Sequence, residues 1–192
     1  SREKIPTSFK PAFTKTNSEC QEYMLVSLFN SFQQYLFLAL KMQEFNLDLH
    51  FHSPFAGGVS KNMSIPILAE QAQLKGLHCI STADITHPEW MKHLKQNLIE
   101  ENGIYKHEKF ETKFIVGTEI QSEQQIHHLI YLEDLARAEE LAEKLKAFGR
   151  LDYYGAGRPK LRISPEKLAE IVTDLKGLIG PAHSFTPYFG IY

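Results

Sequence analysis

A chain of 192 residues is long enough for one domain with a sizeable core, and 43% hydrophobic with 23% charged residues is the balance of a globular protein. The formal charge of −2 gives no general pull on nucleic acid, so contact with a polyanion has to come from a local patch. Cys20 and Cys79 stand far apart with no Cys-x-x-Cys, which leaves a zinc ribbon or disulfide framework without support and fits a reducing cytoplasm.

Residues 1 to 18 are polar and punctuated by proline, the pattern of an irregular arm. From Tyr23 to Met42 the apolar positions Met24, Leu25, Leu28, Phe29, Phe32, Leu36, Phe37 and Leu40 follow helical spacing, with polar residues between them. This predicts an amphipathic helix rather than a membrane span. Its apolar face needs a cover, either the following domain or a protein partner; without a Lys/Arg-rich polar face a membrane surface is the poorer fit. Residues 1–46 therefore read as an N-terminal extension to a domain over 47–192.

Asp48-Leu49-His50-Phe51-His52-Ser53 opens that domain. On a strand, Leu47, Leu49 and Phe51 would share one face and Asp48, His50 and His52 the other, placing two imidazoles about 7 Å apart at the Pro54 to Gly58 turn. That spacing suits a divalent ion, although most His-x-His pairs bind nothing and an ordinary amphipathic strand explains one pair equally well.

Downstream, Ser64 and Pro66 start a helix with Ile65, Leu68, Ala69 and Ala72 on one side, and Gly76 closes it. Leu77 to Ala83 reads as a buried strand ending at Asp84, which makes a βαβ unit with parallel pairing. Thr86 caps a helix through Trp90, Met91, Leu94 and Leu98, stopped by Asn102-Gly103. Phe114 to Thr118 is a strand with Glu119 at its end, and Ile126 to Leu132 is another. Asp134 caps a helix with Leu135, Ala138, Leu141, Ala142 and Leu145 inward; Ser164-Pro165 starts one with Leu168, Ile171, Val172 and Leu175 inward. A last strand, Leu178 to Ala182, leads to His183.

In a parallel α/β barrel the carboxyl ends of the strands share one face, so groups placed there converge. His50, His52, Asp84, Glu119 and His183 each fall at a predicted strand end, and a mixed imidazole and carboxylate set suits Zn²⁺, Mn²⁺ or Fe²⁺. A bridging carboxylate would hold two ions able to activate water and clamp a phosphate. Of the adjacent His127 and His128 one points inward, and His128 is the preferred choice. His78, His87, His93 and His107 lack an equivalent placement and read as surface or core histidines. Lys61 and Arg158 are candidate phosphate contacts, and Tyr153, Tyr154 and Phe185 could stack on an extruded base, though loop cations are commonly solvated and loop aromatics commonly cover a core.

The order and spacing of Asp48-Leu49-His50-Phe51-His52-Ser53, Ser60-Lys61-Asn62-Met63, Thr82-Ala83-Asp84, Thr86-His87-Pro88-Glu89-Trp90, Thr118-Glu119, His127-His128-Leu129, Gly157-Arg158-Pro159 and Pro181-Ala182-His183-Ser184-Phe185-Thr186-Pro187 resemble the PHP phosphoesterase domain of the endonuclease Q family. The resemblance runs from about Asp48 to the last residues. It implies a seven-stranded distorted barrel and a metal-dependent endonuclease that nicks DNA on the 5′ side of uracil, hypoxanthine or abasic sites. It also implies two or three divalent ions (Zn, Mn or Mg) in a complete site, with His50, His52, Glu119 and His183 as ligands and Asp84 and His128 joining them.

Family members begin just ahead of the Asp-Leu-His motif, near Met42 here, and the family's later Ser-Asp-Ala-His strand, final barrel strands and zinc-ribbon region have no counterpart before Tyr192. The expectation is a C-terminally incomplete barrel with impaired turnover. Gly58 and Ile85 stand where wider PHP proteins place histidines. Two other expectations compete with the nuclease: a phosphatase of small phosphoesters, and an inactive metal-binding fragment.

Overall fold

The structure is a computed structural model that describes residues 45–101 and 103–191. The helix expected within 23–42, and the protein partner expected to meet it, lie outside these residues. Among the described residues seven strands and four α-helices follow in the order β1 (Leu47–Asp48), α1 (Ile65–Leu74), β2 (Cys79–Ser81), α2 (Pro88–Asn97), β3 (Ile99–Glu101), β4 (Ile104–Lys106), β5 (Lys113–Gln121), β6 (His127–Leu132), α3 (Leu135–Leu145), α4 (Pro165–Asp174) and β7 (Leu178–Pro181).

The helices form where cap chemistry and apolar periodicity agree. Asp134 accepts the Arg137 amide at 2.7 Å to start α3, and Ser164 accepts the Lys167 amide at 3.2 Å to start α4, with Pro165 in its first turn. Their buried faces are the expected ones: Leu135, Ala138, Leu141 and Leu145 in α3, and Leu168, Ile171 and Val172 in α4. Each such Leu or Ile, fully removed from water, stabilises the fold by about 1.5–3 kcal/mol. They pack with Trp90, Phe114, Ile120 and Ile130 into one core. The cap of α2 is His87 and not Thr86, because Pro88 occupies the first helical position.

The sheet departs from the expected all-parallel barrel. β1, β2 and β5 are parallel, with Leu47 opposite Cys79 and Cys79 opposite Lys113. The other pairings are antiparallel: β3 with β4, β4 with the start of β5, β6 with the rest of β5, and β7 with β6. The result is a curled, mixed half-barrel. Chain length dictates the main change. Only Ser122–Ile126 separates β5 from β6, whereas a parallel crossover needs about a dozen residues or more. Gly103 also does not end a helix: it turns the β3–β4 hairpin at φ 78°, with Glu101 opposite Ile104. None of the helices among the described residues is long and apolar enough to cross a membrane.

Candidate metal centre

β1 stops at Asp48, so His50 and His52 lie on irregular chain beyond the strand instead of along it. Asp84 aims the second of them. It is fully buried; its Oδ2 accepts the Ser53 amide at 2.6 Å and its Oδ1 lies 3.0 Å from His52 Nδ1. The backbone is bent to bring it there. Ala83 and Asp84 have φ of 55° and 41°, the left-handed region that non-glycine residues seldom occupy. The Trp90 indole N–H holds the bend by donating to the carbonyls of Thr82 (2.9 Å) and Ala83 (3.0 Å).

Glu119 is at the centre, within β5 and not at its end. Its side chain is 1% exposed, yet five cationic or ligating groups meet it. Oε1 lies 3.3 Å from His50 Nε2, 3.2 Å from His127 Nδ1 and 3.3 Å from His183 Nε2; Oε2 lies 3.0 Å from His52 Nε2 and 3.4 Å from an Arg158 Nη. Buried Oε1 has no hydrogen-bond partner despite those three ring nitrogens. His127 Nδ1 also faces His183 Nε2 at 3.2 Å. A buried carboxylate oxygen crowded by ring nitrogens yet making no hydrogen bond of its own is an arrangement a cation resolves. Among the described residues two groups have donor atoms within 4.8 Å of one another: His50, His52 and Glu119, and Glu119, His127 and His183. They share one carboxylate.

The outer ring nitrogens show how the inward ones are presented. His52 Nδ1 meets Asp84, His127 Nε2 meets the Gln121 side-chain oxygen at 3.2 Å, and His183 Nδ1 meets the Thr186 hydroxyl at 3.3 Å. Each partner orients its ring with the other nitrogen toward Glu119, the support that metal-binding histidines receive. Burial disfavours charge on His52, but its hydrogen bonds to Asp84 and Glu119 prevail and raise its pKa to about 9. Burial likewise works against Glu119 ionising, and His127, His50 and His52 overcome it, holding the carboxyl far below the usual range.

Several expected residues are placed differently. His128 is not in the cluster: it faces the other way, with Nε2 2.8 Å from the Ser122 hydroxyl, and burial lowers its pKa. His127 takes the inward position. Asp84 stands behind His52 and outside both donor groups. Arg158 reaches the cluster, whereas Lys61 is exposed near a notch lined by Phe55, Met63, Trp90 and His93. Tyr153, Tyr154 and Phe185 are exposed, and the Arg150 guanidinium lies over the Tyr153 ring. The sequence offered His127 as the alternative to His128, and gave no signal for Gln121 and Thr186 as partners of the ring nitrogens. A cleft of about 810 Å³ between α2, α3 and residues 149–152 contains none of these groups, so convergence of donor atoms and not cavity size marks the site.

No protein-family sequence profile matches the chain. It is 42% identical over 142 residues to an uncharacterised protein of Methanocaldococcus jannaschii, covering 74% of this chain and 16% of that protein. Among solved structures it is similar to the lesion-specific endonuclease Q of Pyrococcus furiosus, with a TM-score of 0.72, 37% identity and coverage of 77% of this chain and 36% of that one. A complex of endonuclease Q with a 27-mer duplex bearing an abasic lesion at its active site gives 0.71 and 37% over 76% of this chain, again 36% of that one. The chain thus spans about a third of endonuclease Q and a sixth of the curated relative. The likeness in motifs is also one in three dimensions: this part of the chain has an endonuclease Q-like fold.

Proposed function

We propose that this chain carries the metal centre of a DNA endonuclease, which hydrolyses a phosphodiester on the 5′ side of a deaminated base such as uracil or hypoxanthine, or of an abasic site. One observation carries the reading: the buried Glu119 carboxylate is shared by two groups of inward-facing imidazole nitrogens. The residues present fit divalent ions, since imidazole and carboxylate donors suit Zn²⁺ or Mn²⁺ and Oε1 lacks a hydrogen-bonded partner. His50, His52, Glu119, His127 and His183 would hold them. When bound, such ions lower the pKa of water and neutralise charge developing on phosphoryl oxygens.

The chain's own residues do the rest. Asp84, Gln121 and Thr186 keep three imidazoles in the tautomers that present a lone pair inward. Arg158, a third exposed at the rim, is placed to meet a phosphate oxygen of the bound strand. Exposed Tyr154 and Phe185 offer flat apolar faces to an extruded base. The similarity to endonuclease Q supports DNA as the substrate.

The test is metal content of the purified chain together with nicking of labelled duplexes that carry deoxyuridine or an abasic site. His50→Ala, His52→Ala should lose both metal and cleavage. Equal behaviour of wild type and double variant would remove the site. Hydrolysis of a chromogenic phosphate monoester without nicking would transfer the assignment to a small phosphoester.

A further inference from the structure

Among the described residues Arg158 is the one permanent cation against Glu119, and its geometry is that of a poorly made pair. A single Nη reaches Oε2 at 3.4 Å, where a well-formed guanidinium–carboxylate pair is bidentate at about 2.7–2.9 Å. Its Nε is buried without a hydrogen-bond partner among the described residues. A guanidinium cannot shed its proton, so this donor stays unsatisfied as long as the side chain rests on Glu119. The backbone beneath it is fixed: the Pro159 carbonyl accepts the Gln121 amide at 3.0 Å and Lys160 bridges to Gln121. Only the side chain is left to change partner. Gly157, beside it, has no room for a side chain, because a Cβ there would lie 2.5 Å from Asp84 Oδ2 and 2.6 Å from the Ala56 amide nitrogen.

We propose that Arg158 and a divalent ion compete for Glu119, so that metal loading releases the guanidinium to grip a phosphate with both its Nη and its unsatisfied Nε. The inference rests on the metal-centre reading above. Metal-free, Arg158 adds a permanent positive charge to the histidines that already face Glu119. With the ion bound, the two positive charges repel at short range, and a phosphate is the acceptor that satisfies the whole fork. The order of binding follows: metal first, then the phosphate.

The experiment compares wild type, Arg158→Met and Arg158→Lys by Zn²⁺ titration against a chromophoric chelator, and by calorimetric titration of inorganic phosphate with and without Zn²⁺. Circular dichroism confirms that each variant is folded. Arg158→Met keeps the apolar stem without the charge, so its Zn²⁺ affinity should rise, by about tenfold from loss of one repelling charge near the ligand. Arg158→Lys keeps the charge and should stay near wild type for Zn²⁺. Both variants should bind phosphate more weakly in the Zn²⁺-loaded state, and wild type should bind it more tightly with Zn²⁺ than without. Unchanged or weaker Zn²⁺ binding by Arg158→Met, beside tight binding by wild type, overturns the competition and leaves the metal centre standing. Failure of wild type to bind Zn²⁺ overturns both.

Discussion

Asp84 Oδ1 lies 3.0 Å from His52 Nδ1 while its Oδ2 accepts the Ser53 amide at 2.6 Å, so one buried carboxylate fixes both the His52 ring and the backbone that follows it. Asparagine has only one acceptor atom. In Asp84→Asn, either His52 or the Ser53 amide loses its partner and the amide NH₂ meets a donor. Metal affinity should fall by about 10–100-fold, the usual effect of removing an orienting partner. Asp84→Ala should in addition unfold more easily by about 1–3 kcal/mol, because the Ser53 N–H is left buried without an acceptor. Chelator competition and thermal unfolding measure the two effects, and unchanged metal affinity in Asp84→Asn would show that Asp84 does not position His52.

The same turn makes Gly157 sensitive to a single methyl group. A Cβ at this residue would come 2.5 Å from Asp84 Oδ2 and 2.6 Å from the Ala56 amide nitrogen, both held in place by other hydrogen bonds. Gly157→Ala should cost about 1–3 kcal/mol of stability and lower metal affinity, since relief of the clash displaces Asp84. Gly58, with no heavy atom near its Cβ position, is the control for crowding, although its φ of 72° adds backbone strain of its own. Thermal unfolding of Gly157→Ala at the wild-type temperature would contradict the packing argument.

Much of this was legible because helix signals are local. Asp134 and Ser164 cap helices whose apolar stripes follow the expected spacing, and His50, His52, Asp84, Glu119 and His183 do meet in space. Strand direction is a tertiary property, and there the reading went astray even though the clue was present in the short Ser122–Ile126 link. Once β5 and β6 are antiparallel, the histidine choice follows. Gln121 pairs with His127 and Ile120 with His128. Glu119 and Gln121 share a face by strand alternation, so His127 joins them and His128 is carried to the other side. The exposure of Lys61 away from the cluster had no such local signature.

The two neighbouring histidines should accordingly behave in opposite ways. His127→Ala removes a donor from the Glu119–His183 group and should lower metal stoichiometry or affinity and abolish nicking. His128→Ala breaks a buried hydrogen bond with Ser122 and should cost about 1–3 kcal/mol of stability while leaving metal content intact. Metal analysis with thermal unfolding separates them, and loss of metal in His128→Ala with retention in His127→Ala would reverse the assignment of faces.

If His52 is a metal ligand, as proposed, proton and metal compete for it, and the sign of the pH effect should differ between the metal-free and loaded chain. In the metal-free chain the pKa of His52 is raised from 6.5 to about 9, so its stabilisation is fully present below 6.5 and is lost as pH rises through 9. Glu119, held low, contributes above its ordinary 4.5 and loses that contribution only in acid, so it is constant across this window. His87, His93 and His128, whose pKa values burial lowers, change stability only below about 6.5. Between pH 7 and 9 the chelated protein should therefore become steadily less stable, and His52→Asn should lack that slope. Metal affinity should move the other way, because the ion needs neutral imidazole: it should tighten by up to about tenfold per pH unit up to pH 9, with a proton released on binding. Calorimetry in buffers of different ionisation enthalpy counts that proton, and metal-free stability that stays flat or rises over this range would mean that Asp84 and Glu119 do not hold His52 protonated.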